Sequence, residues 1–203
     1  MANFITLFRL PLLTIFVVLL DVGNETVRLW CITILVVLLL MDTLDGFIAR
    51  SLKQVSLLGS VLDIAVDRTV ELVLWVVYCH FRLIPVIVPL IIIARGVTVD
   101  AVRAVRLKGG VMPFQQVRAR LSQFLVASPF MRSLYGITKG LAFIVLTLDL
   151  GLRTSNPPAW EPLVHTIAMV LTWLAVSACL ARGLPVLIEG FRYLKSQDFY
   201  TSE

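Results

Sequence analysis

Four aspartates stand at fixed intervals in a chain otherwise dominated by apolar residues: Asp42, Asp45, Asp63 and Asp67. On helices, Asp42 and Asp45 lie at i and i+3, and Asp63 and Asp67 at i and i+4, so each pair shares one helical face. Two such faces form a cage of four carboxylates. Four anions close together in a low-dielectric setting repel one another strongly, so either some are protonated or divalent cations sit between them. Oxygen ligands without a nearby His or Cys suit a hard ion, Mg²⁺ or Mn²⁺, rather than zinc.

The carboxylates belong to a longer pattern, Asp-x2-Asp-Gly-x2-Ala-Arg-x8-Gly-x3-Asp-x3-Asp, whose fixed positions are Asp42, Asp45, Gly46, Ala49, Arg50, Gly59, Asp63 and Asp67. At average residue frequencies, a chance match in one chain is on the order of one in ten million. The pattern resembles the signature of the CDP-alcohol phosphatidyltransferases, membrane enzymes that make phospholipid headgroups. That resemblance implies displacement at phosphorus: an alcohol hydroxyl attacks the lipid-bearing phosphate of CDP-diacylglycerol, and CMP leaves. It further implies two divalent ions, Mg²⁺ or Mn²⁺, on Asp42, Asp45 and Asp63, with Asp67 as general base and further metal ligand. Gly46, Ala49, Arg50 and Gly59 then line the CDP pocket. Spacing alone does not separate the roles of the four acids. Gly46 and Gly59 would equally serve close helix packing, and Arg50 would equally anchor topology.

Span 4, from about Leu83 to Val105, carries Arg95 and Arg103 with Asp100 between them, and Lys139 lies within span 5. Charges this deep usually face the bundle interior, and a group of cations there is costly unless an anion visits. These positions resemble the basic residues that gather around the phosphate of glycerol 3-phosphate in the phosphatidylglycerophosphate synthase branch of the family. Two departures from that branch are Gly96, where it commonly has an acid, and Ile137, where it has a second lysine. The same chemistry with inositol phosphate, phosphatidylglycerol or serine as acceptor is the nearest alternative. A cation transporter using intramembrane carboxylates is a rival of another class, but it leaves Gly46, Ala49, Arg50 and Gly59 unexplained.

Near the amino terminus, Asn3, Thr6 and Arg9 also resemble the synthase branch, where this arm lies at the membrane interface. A helix cap followed by an Arg reaching back to the interface accounts for them as well.

The elements that must hold these residues follow from composition. The chain has 203 residues, 59% of them hydrophobic, and a mean hydropathy of +0.92. It is far more apolar than a soluble domain. The expected fold is an all-α integral membrane protein: six transmembrane helices in one bundle, preceded by an amino-terminal interfacial segment, with residues 1–203 as a single domain. The polar stretch Asp21–Glu25 ends span 1, the motif closes span 2, and span 3 runs from about Leu57 to Cys79 with Asp63 and Asp67 in its first turns. Span 5 runs from about Leu134 to Leu150 and span 6 from about His165 to Leu187, with residues 106–132 a loop and interfacial helix and 189–203 an interfacial tail.

With the 50–57 link inside, Arg50, Lys53, Arg106, Lys108, Arg118, Arg120, Arg132, Arg192 and Lys195 gather there, against Arg28, Arg82 and Arg153 outside. The positive-inside bias puts the carboxylates on the cytosolic face. Compact length and the lack of a transit-like leader point to a bacterial cytoplasmic membrane. Cys31, Cys79 and Cys179 lie far apart in apolar runs and read as packing residues, and His80 and His165 as interfacial. The family resemblance adds a homodimer, and nothing suggests nucleic acid as a partner.

Overall fold

The computed structural model describes residues 2–51, 57–108, 128–153 and 157–200. All regular structure among them is helical: α1 (Ala2–Val22), α2 (Glu25–Ser51), α3 (Leu57–His80), α4 (Ile87–Lys108), α5 (Pro129–Leu152) and α6 (Glu161–Tyr200). Among the described residues two segments, Phe130–Leu152 and Glu161–Ile188, are long and apolar enough to cross a membrane by length and composition. On α6, Leu163, Ile167, Val170 and Leu174 follow the i, i+4, i+7, i+11 spacing of one helical face. All four are exposed, as side chains that meet lipid would be.

The helix ends follow from local chemistry. Asn24 caps α2, its Oδ1 accepting from the Val27 amide at 3.0 Å, and Glu25 in the first turn complements the positive end of the helix dipole. The Arg28 side chain reaches back and donates through Nε to the Leu20 carbonyl at 3.1 Å, closing the end of α1. At the end of α3, Arg82 takes a positive φ of 56°, and the Leu83 amide donates to the Tyr78 carbonyl at 3.0 Å. This left-handed turn, followed by Pro85, delays the start of α4 to Ile87 rather than Leu83. α6 continues to Tyr200, well beyond the Leu187 expected as the end of span 6, although Pro185 removes one amide from its ladder.

The chain divides into two compact units: residues 1–85 with 140–170, and residues 86–139 with 171–203. In the first, α1 packs on α2 and α3. Its core holds Phe16 and Leu20 of α1, Leu35 and Leu38 of α2, Trp75 and Tyr78 of α3, and Phe143 of α5, all essentially inaccessible. The Trp75 and Phe143 rings meet edge to face, with centroids 4.7 Å apart. Tyr78 completes the contact through its hydroxyl, which lies 2.8 Å from Thr147 Oγ1 and 3.1 Å from the Phe143 carbonyl. Cys31 and Cys179 are buried and not in disulfides, in keeping with packing residues. In the second unit, Val99 and Val102 of α4 pack against Val186 and Leu187 of α6, an approach for which Gly190 leaves room: a Cβ there would strike Val102.

Candidate active site

The amino-terminal half of α3 presents Asp63 and Asp67 one turn apart. Gly59 lies one turn earlier and is partly buried. Because α1 packs on α3, the polar residues of its first turns are drawn inward: Thr6 is 3% and Arg9 1% exposed. Arg9 Nη2 stands 4.0 Å from Asp67 Oδ1, and its charge also acts on Asp63. Arg9 is therefore enclosed by protein next to the carboxylates instead of reaching back to an interface. Thr6 and Arg9 share a helical face, as their i, i+3 spacing requires.

Asp63 Oδ1 is buried and has no hydrogen-bond partner among the described residues. A buried carboxylate oxygen left without a donor is costly. It is the kind of ligand a hard cation satisfies, so the donor chemistry of α3 fits Mg²⁺ or Mn²⁺. α2 carries Asp42, Asp45, Gly46, Ala49 and Arg50 in its carboxyl-terminal turns, but their side chains lie outside the described residues. Among the described residues no three metal-ligating side chains come together. The acids continue one turn past Asp67 to Glu71, 3% exposed, which accepts from Arg68 Nη1 at 3.4 Å. Sequence reasoning missed Glu71, although its i+4 step from Asp67 was there to be read.

The second unit gathers cations. Lys139 Nζ lies 5.5 Å from the centre of the Tyr135 ring, and the Arg182 guanidinium of α6 lies 5.7 Å from the same centre. Each is within the range of a cation–π contact. Next along α6, Gly183 lets Arg95 of α4 pass: a Cβ at 183 would strike Arg95 Nε. That Nε is buried with no hydrogen-bond partner among the described residues. Arg182 thus shares Tyr135 with Lys139, a cation that sequence reasoning overlooked. Its signal was the same one that marked Arg95, an Arg inside an apolar helix. Arg103 lies on α4, with its side chain outside the described residues. Asp100 departs from the expectation that the charges of span 4 face inward, being exposed. Five residues after Arg95, it sits about 140° around the helix.

A third polar group lies in the first unit, between the end of α5 and the start of α6. Asp149, fully buried, stands 2.8 Å from His165 Nδ1 and 3.4 Å from Arg153 Nη2. Arg153 Nη2 is also 3.3 Å from His165 Nδ1. One ring nitrogen cannot both donate to the carboxylate and accept from the guanidinium. The shorter, charge-assisted contact decides it: Nδ1–H donates to Asp149. His165, expected to be interfacial, is thus half-buried and tied to an acid. Phe143, which meets Tyr78 of α3, and Asp149 sit less than two turns apart on α5. The cluster thus belongs to the Tyr78 end of α3, roughly 16 Å along that helix from Asp67.

Against known proteins, the family model described as CDP-alcohol phosphatidyltransferase matches residues 1–181. No curated protein matches the chain.

Proposed function

This chain belongs to the CDP-alcohol phosphatidyltransferase family, and we propose that the alcohol it takes is glycerol 3-phosphate, with CDP-diacylglycerol as donor and phosphatidylglycerophosphate and CMP as products. The family consists of membrane enzymes that move a phosphatidyl group from a CDP-alcohol to an acceptor alcohol, generally with divalent metal. The observation that carries the choice of acceptor is the meeting of Lys139 and Arg182 on Tyr135, with Arg95 against the neighbouring Gly183. Partly buried cations grouped on membrane helices favour an anion, and a guanidinium matches the fork of a phosphate.

In this account Arg95, Arg103 and Lys139 bind the acceptor phosphate. Asp67 takes the proton of the acceptor hydroxyl. As that oxygen bonds to the lipid-bearing phosphorus, the bond from phosphorus to the bridging diphosphate oxygen breaks, and CMP leaves with the electron pair. Asp42, Asp45, Asp63 and Asp67 would hold Mg²⁺ or Mn²⁺, which supplies neutralisation of charge on the diphosphate. Gly46, Ala49 and Gly59 leave space for the cytidine nucleotide to approach the backbone, and Arg50 meets a phosphate oxygen. Residues 1–203 act as one six-span transferase domain, active as a homodimer and facing the cytosol of a bacterial cytoplasmic membrane. The excess of Lys and Arg flanking the 50–57 side supports that orientation.

A second acceptor, inositol phosphate, keeps the same phosphate contacts and stands next because Gly96 and Ile137 depart from the synthase branch. The test is CMP release by purified protein in detergent with CDP-diacylglycerol and Mn²⁺, offering glycerol 3-phosphate, inositol phosphate, serine and phosphatidylglycerol in parallel. Turnover with glycerol 3-phosphate alone is expected. Turnover with inositol phosphate alone moves the assignment to the second acceptor, and turnover with serine or phosphatidylglycerol alone overturns the acceptor site.

A further inference from the structure

The amino-terminal turns of α1 present a buried cation to the α3 carboxylates, and the family chemistry as set out above gives it no task. Arg9 is 1% exposed, whereas the Asp67 side chain beside it is 47% exposed. The two therefore form an ion pair with a closed side, occupied by the guanidinium, and an open side from which a substrate can reach the carboxylate. The 4.0 Å separation of Arg9 Nη2 and Asp67 Oδ1 is too long for a hydrogen bond, so the interaction is one of charge. Contacts of this kind often tighten only when substrates are bound. Arg9 also acts on Asp63, so one cation bears on both Asp63 and Asp67. A buried guanidinium is costly unless acids compensate it, and burying it here ties the register of α1 to the catalytic face of α3.

We propose that Arg9 is a positioning residue for the α3 carboxylates: it steers Asp67 by drawing Oδ1 toward α1, which leaves Oδ2 to meet the acceptor hydroxyl, and it balances part of the charge of the Asp63 and Asp67 pair. The proposal rests on the assignment of Asp67 as the base. Among the described residues Arg9 is the cation paired with Asp67, while Asp63 one turn away adds like-charge repulsion, so Arg9 bears directly on how the Asp67 carboxylate is oriented. Lysine cannot substitute fully, since it presents a single point of charge on a flexible stem instead of a rigid fork.

Two properties separate positioning from a merely structural role. Loss of orientation lowers kcat and leaves KM for both substrates in place, because the misplaced group acts in the chemical step. Loss of the positive charge strengthens cation binding, because Arg9 repels any divalent ion held by the same acids. A structural role predicts the opposite for the metal: a collapsed site binds it more weakly.

The experiment compares wild type, Arg9→Gln, Arg9→Lys and Asp67→Asn in detergent, by CMP-release kinetics and by Mn²⁺ binding followed through the electron paramagnetic resonance signal of the free ion. Expected for Arg9→Gln is a fall of about a hundredfold in kcat, as a misplacement of about 1 Å can cause, with KM unchanged and Mn²⁺ bound roughly tenfold more tightly. Arg9→Lys should recover part of kcat and hold Mn²⁺ like wild type. A wild-type kcat in Arg9→Gln overturns the proposal. So does a raised KM for CDP-diacylglycerol at unchanged kcat, which would make Arg9 a donor-phosphate ligand. Joint loss of kcat and of Mn²⁺ binding in both Arg9 variants also overturns it, as the mark of a structural residue. Wild-type turnover in Asp67→Asn would instead remove the base assignment itself, so the two failures are distinguishable.

Discussion

Replacing Gly183 by Ala separates the acceptor site from the stability of the fold. Gly183 is buried on α6, and a Cβ built there would strike Arg95 Nε and stand 2.8 Å from Cγ and 3.1 Å from Cδ of the same side chain. These are atoms of the middle of the Arg chain, so the side chain cannot simply turn its tip aside. To regain ordinary contact distances of about 3.5–4 Å it must retreat by roughly 1 Å from Cγ outward, carrying the guanidinium with it. The effect on the fold is small, because Ala favours a helix over Gly by about 1 kcal/mol while overpacking costs about 1–3 kcal/mol. The effect on the acceptor is large, since a hydrogen bond to a charged group contributes about 1.5–3 kcal/mol. Losing it raises KM for glycerol 3-phosphate by roughly tenfold to a hundredfold. The assay is initial-rate CMP release over a range of glycerol 3-phosphate at saturating CDP-diacylglycerol, with a detergent thermal melt of each protein. An unchanged KM for glycerol 3-phosphate in folded Gly183→Ala protein would refute the placing of Arg95 at the acceptor phosphate.

Chelation of divalent ions should abolish CMP release, and added Mn²⁺ or Mg²⁺ should restore it, whereas Zn²⁺ should restore little because the ligands are carboxylates. Tyr78→Phe should cost about 1 kcal/mol in a denaturation series, because Thr147 keeps its own bond to the Phe143 carbonyl, at 2.9 Å, when the phenol is lost. His165→Ala should lower the thermal midpoint more, by the equivalent of about 1.5–3 kcal/mol, since among the described residues buried Asp149 then keeps only Arg153. It should leave kcat unchanged, its cluster being about three turns of α3 away from Asp67.

The sequence carried the helices where a polar break or a turn residue interrupts an apolar run. Within the stretch Asp21–Glu25, Gly23 and Asn24 became the turn between α1 and α2, with Asn24 as the cap of α2. The start of α4 was harder to read, because Arg82 adopts a left-handed conformation that no Gly announces. The pairing of Asp63 with Asp67 was legible because one helix carries both. Arg9 was not: spacing cannot say whether an Arg near a chain terminus turns toward headgroups or toward an acid 58 positions later. Arg182 and the Asp149–His165 pair depend on contacts between helices in the same way, and residue types alone left them as topology or interface residues. The side chains of Asp42, Asp45, Ala49, Arg50 and Arg103 lie outside the described residues, so the roles of the first four rest on the motif and that of Arg103 on its resemblance to the synthase branch.

The most direct test of the central claim follows the acceptor into the lipid. Purified protein is given CDP-diacylglycerol, Mn²⁺ and isotopically labelled glycerol 3-phosphate, and CMP and organic-phase label are measured together. The account predicts one label in lipid for each CMP released, in a product with the mass of phosphatidylglycerophosphate, and neither in Asp67→Asn. CMP released without label in lipid would contradict it.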